Sequence, residues 1–142
     1  MKPTRIITNL VGLMLFVQVI LGGSALLLGV PILYHLVWGA ATFIVLVVAT
    51  FYAATELGSK STLFRTGIAA IAVYVVQIIL GLFALGLNGY VVVAHLTNAF
   101  VLGVLVTYLI SFADSAEKSS PSLNPQGPTA KPGTMRAVSR DS

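Results

Sequence analysis

The chain has 142 residues, of which 57% are hydrophobic and 8% charged, with mean hydropathy +0.97 and formal net charge +4. A water-soluble domain carries about 25% charged residues, so this composition excludes the soluble globular class. The absence of cysteine excludes disulfides, thiolate metal sites and a cysteine nucleophile, and the scattered basic residues make no footprint for nucleic acid.

Asp, Glu, Lys and Arg are missing from Ile6 through Thr55 and again from Thr66 through Ala113. A membrane-crossing helix needs about 20 apolar residues, so each stretch holds two helices. The first is expected at 6–28. Its basic start and apolar run resemble a signal peptide, with Gly23-Ser24-Ala25 small enough for cleavage. The run continues well past that point, however, which favours a retained helix. Gly29-Val30-Pro31 then reverses the chain, proline fitting a turn or the first turn of a helix.

The second helix is expected at 32–55, followed by a polar loop with Glu56 and Lys60 and, just beyond, Arg65. The third is expected at 64–86, closed by Leu87-Asn88-Gly89, in which Asn-Gly marks a turn. The fourth is expected at 90–112. The fold class is thus all-α, an integral membrane four-helix bundle over 1–113. Residues 114–142 hold four of the six prolines and few large apolar residues, the composition of a disordered tail that buries too little surface to order itself. Lys2, Arg5, Lys60 and Arg65 flank the termini and the middle loop, whereas the other two turns are uncharged. The positive-inside rule therefore puts both termini in the cytoplasm of a multi-pass protein of the cell membrane.

The two halves repeat. Gln18-Val19-Ile20-Leu21-Gly22 in the first helix matches Gln77-Ile78-Ile79-Leu80-Gly81 in the third, and His35-Leu36 matches His95-Leu96 at nearly the same distance beyond. Each unit is a helical hairpin, and both hairpins point the same way, so the repeat is parallel about an axis along the membrane normal. Both histidines fall a few residues inside their helices, about 6–8 Å below the outer ends, in the outer leaflet. Gln18 and Gln77 are expected about two turns deeper.

Polar rings in hydrocarbon mark function by default, the alternative being a hydrogen bond to a neighbouring helix. Two histidines leave a lone transition metal short of ligands, and the helices offer no acid for a proton relay or an ion-coupled transporter. A haem needs only two axial ligands from the protein, and facing side chains of a bundle can supply them. His35 and His95 are the candidate iron ligands. Gly22 and Gly81 either let backbones approach a macrocycle or serve ordinary helix packing. Gln18 and Gln77 either orient a histidine, cap a polar edge or bond between helices. Trp38, one turn below His35, either packs on the porphyrin or belongs to an interfacial belt with Tyr34 and Tyr90. No cation is expected near the propionates, which leaves Ser24, Asn88, Tyr90, backbone amides or a partner to meet them.

The Gln-x-x-Leu-Gly and His-Leu order resembles the haem A synthase family, over about Ile6–Phe112. In that family two four-helix bundles each carry a histidine pair on their second and fourth helices; this chain is similar to one bundle, as in compact archaeal members. The resemblance implies a b-type haem on His35 and His95 and an oxidoreductase context, the conversion of haem O to haem A. Ile32 stands where the family's substrate bundle has a glutamate, and the cysteine pair of many members is missing, so the likeness is to the cofactor-holding bundle. Two expectations follow: a haem b protein serving haem A formation or membrane electron transfer, or a haem-bearing or structural subunit of a respiratory terminal oxidase. Membrane lipid, a second copy of the chain and oxidase subunits are the expected partners.

Overall fold

The structure is a computed structural model that describes residues 3–86 and 88–118. Among these residues it is all-helical, with α1 (Pro3–Leu28), α2 (Ile32–Leu57), α3 (Thr62–Ala84) and α4 (Gly89–Lys118). Each helix is long and apolar enough to cross a membrane. Lys2, Leu87 and the greater part of the expected tail, 119–142, lie outside the described residues.

Local chemistry sets the helix ends. Gly58 takes φ +84°, a region that favours glycine, and its amide donates to Ala54 O at 2.9 Å, stopping α2. Ser61 caps α3 by accepting from Phe64 N at 3.2 Å, which starts that helix at Thr62 rather than Phe64. At the other turn, Asn88 Oδ1 accepts from Tyr90 N at 3.0 Å. The largest departure from expectation is at α4, which runs through residues 114–118 instead of ending at Phe112. Arg5 on α1 explains it, pairing with Asp114 at 2.5 Å and Glu117 at 3.3 Å and so holding the added turns against α1. Close by, Thr4 Oγ1 donates to Glu56 and ties α1 to the end of α2.

The helices form a ring in which α1 packs on α2 and α4, α3 packs on α2 and α4, and the backbones of the diagonal pairs stay apart. Close approaches are made at glycines, as membrane helices require. A Cβ on Gly67 would stand 2.5 Å from Thr50 Oγ1, and one on Gly12 would stand 2.8 Å from Ile110 Cδ1. Buried threonines return their hydroxyl protons to carbonyls one turn back, as Thr8 does to Thr4 O and Thr50 to Leu46 O.

The core is one-ended. Among the described residues, the buried ones fall within 4–15 on α1, 39–53 on α2, 63–74 on α3 and 102–113 on α4. They run from the end of the bundle that carries the polar loop to its middle, with Gly39 the nearest to the uncharged turns. Leu46 and Leu102, 0% and 1% exposed, sit at its centre. Towards the two uncharged turns the helices part and leave a space among them.

Candidate functional site

That space is a cavity of about 430 Å³ walled by all four helices, within the range of small-molecule and cofactor sites. Leu15, Gly39, Tyr74 and Leu102 belong to both the cavity wall and the buried core, and so form its floor. Its polar lining comes chiefly from Gln18, His35, Gln77 and His95. The histidines stand on α2 and α4, the diagonal helices, and their rings meet across the bundle with centroids 6.3 Å apart and planes at 71°.

Each glutamine–glycine–histidine set builds the same local unit. His35 lies in a gap left by Gly22, where a Cβ would come within 2.9 Å of His35 Cε1; Gly81 leaves the matching gap, with a Cβ 3.1 Å from His95 Cε1. Gln18 Nε2 is 3.3 Å from His35 Nε2, and Gln77 Nε2 is 3.1 Å from His95 Nε2. The repeated pattern is therefore a seat for a ring and an amide that meets its Nε2.

The hydrogen bonds assign the ring protons. His35 Nδ1 lies 3.1 Å from the Gln18 carbonyl, which can only accept, so Nδ1 carries the proton and Nε2 accepts from the Gln18 amide. In the other half the order is fixed from the opposite end. Asn98 Nδ2 donates to Val73 O at 3.1 Å and to Gln77 Oε1 at 2.7 Å. That turns the Gln77 amide nitrogen towards His95, whose Nε2 accepts and whose Nδ1 carries the proton. Both histidines thus present an Nε2 lone pair, the form in which imidazole ligates a metal.

The two glutamines lie level with their histidines, not two turns below. In the first hairpin α1 overshoots: Gly29 takes φ +69°, and Val30 N reaches back to Ser24 O at 3.3 Å. The chain descends beside the last turns of α1 before α2 begins, which lowers His35 to Gln18. Trp38 stands apart from the cavity wall, and its indole nitrogen donates to Met14 O at 2.9 Å. Asn98, not singled out in the sequence, occupies the position in the second half that Trp38 holds in the first, and Val73 corresponds to Met14. Ile32, at the glutamate position of the resembled family, is on the cavity wall.

A metal held between two imidazole nitrogens at about 2 Å each would set the ring centres about 6 Å apart, close to the His35–His95 centroid separation of 6.3 Å. Among the described residues no group of three His, Cys, Asp or Glu comes together. The wall is otherwise apolar, with no charged residue on it. Ser24, Asn88 and Tyr90, considered for the propionates, are not on the wall. No protein-family model, curated protein or solved structure matches the chain.

Proposed function

We propose that this chain is a multi-pass membrane haem protein in which His35 and His95 are the axial ligands of a b-type haem. The observation that carries the reading is the meeting of these two rings across the bundle diagonal, 6.3 Å apart, inside a four-helix cavity. The charge distribution of the loops supports cytoplasmic termini and a site in the outer leaflet of the cell membrane.

Bound in this way, a haem would supply a one-electron couple. The chain's part is to hold and tune. The Gln18 carbonyl fixes the proton of His35 on Nδ1 and raises the basicity of its Nε2. Gly22 and Gly81 leave room for the rings, and the apolar wall would keep a bound iron's surroundings at low dielectric. The resemblance to haem A synthases supports haem A formation as the process served.

The test is a reduced-minus-oxidised absorption spectrum of the full chain purified in detergent from haem-replete cells. Soret and α bands are expected in the wild type and a loss of bis-histidine features in His35→Ala and His95→Ala. A protein without such bands, or bands unchanged in both variants, defeats the reading.

A further inference from the structure

The two histidines are equivalent by sequence position but not by surroundings. His35 is held on both nitrogens, Nδ1 by the Gln18 carbonyl and Nε2 by the Gln18 amide. His95 Nδ1 also faces its glutamine's carbonyl, that of Gln77, in a less well aligned bond. Its seat is also wider, since a Cβ on Gly81 would clear the ring by more than one on Gly22.

The glutamines differ in the reverse sense. Gln18 Oε1 is buried with no partner among the described residues, so the Gln18 amide is restrained by its single bond to His35 and can swing away when that nitrogen takes a metal. Gln77 is braced. Asn98, anchored on the Val73 carbonyl, grips Gln77 Oε1 at 2.7 Å and keeps the amide N–H aimed at the His95 nitrogen. Iron binding by His95 has to displace a fixed donor, whereas iron binding by His35 displaces a loose one. The ring whose Nδ1–H is the better aligned on its carbonyl, His35, is also the better oriented of the two.

Resting on the haem reading above, we infer that His35 is the permanent axial ligand and His95 the exchangeable one, and that the side of the iron released by His95 takes a small neutral diatomic ligand to which Gln77 donates a hydrogen bond. Asn98 is a positioning residue: it acts through Gln77.

Carbon monoxide is the probe, added to the dithionite-reduced holoprotein and followed by absorption and by the infrared C–O stretch. The wild type is expected to bind it. His95→Ala keeps its haem and binds carbon monoxide at least about tenfold more tightly, while haem occupancy in His35→Ala falls at least about tenfold, the lower bound for loss of support at a metal site. Gln77→Leu and Asn98→Leu both raise the C–O stretch by removing or misdirecting the donor. Gln77→Leu keeps the inference testable should Asn98→Leu fail to fold. Equal haem loss in the two histidine variants, no carbon monoxide binding by the reduced wild type, or an unchanged stretch in Gln77→Leu overturns the inference while the haem reading stands. A wild type without haem overturns both.

Discussion

Gly39 makes room for Gln18: a Cβ at position 39 would stand 2.6 Å from the Gln18 amide nitrogen. The obstructed atom is the far end of a flexible side chain, so Gly39→Ala leaves the bundle intact and moves the amide off His35. Stability is expected to change by less than about 1 kcal/mol, while the absorption maxima of the bound haem shift. Chemical denaturation and the visible spectrum of the same sample separate the two effects.

Filling the seats of the rings has a different outcome. His35 cannot retreat from a methyl group on Gly22 without giving up its bond to the Gln18 carbonyl, and the clearance at Gly81 is larger. Gly22→Ala is expected to lower haem affinity by about tenfold or more, and Gly81→Ala by less. Haem titration of the apoproteins, with helicity followed by circular dichroism, ranks them; the reverse order contradicts the geometry.

At the opposite end, Arg5 holds the last turns of α4 through Asp114 and Glu117. These groups are about one-quarter to one-third exposed, so the pairs contribute about 0–1 kcal/mol, and Arg5→Ala is expected to be a local change. Amide hydrogen exchange at residues 114–118 accelerates, exchange in the buried stretch 102–109 does not, and the haem spectrum is unaltered.

The packed end carries the stability of the bundle. Leu46→Ala removes a fully buried side chain and is expected to cost about 2 kcal/mol. That is the low end for a buried leucine, because lipid solvates a released apolar chain as well as the core does. Leu96→Ala, at an exposed position near the cavity, is expected to cost well under 1 kcal/mol. Unfolding in mixed detergent micelles measures both.

Gly67 tests the contact of α2 with α3. Thr50 is short and branched, and a Cβ on Gly67 would meet its Oγ1 and Cγ2 at 2.5 and 2.6 Å. Gly67→Ala is expected to destabilise by about 1–3 kcal/mol. Adding Thr50→Ala removes both of those atoms and recovers part of the loss; if it recovers none, the two helices do not meet there.

Much of this was legible in the sequence for physical reasons. The two stretches without charge number the helices, since lipid admits few ionisable groups, and the repeat gives both histidines with the glycine and glutamine that serve each. What escaped detection depends on tertiary contacts. Asn98 was hidden because its counterpart is Trp38, a different residue that makes the same kind of bond to the equivalent carbonyl, Met14 for one and Val73 for the other. The depth of Gln18 follows from a fold-back at Gly29-Val30 that helix counting does not reveal. The added length of α4 depends on Arg5, which lies more than one hundred positions away in the chain.

A core confined to one end also bears on the order of assembly. The buried leucines and threonines near the polar loop can bring four helices into register with the other end still empty, because none of that packing involves Gln18, His35, Gln77 or His95. The scaffold would then form before any cargo is bound, and a flat molecule could enter the cavity without the packed contacts being undone. Loss of the cargo should likewise leave a folded, refillable protein rather than an unfolded chain.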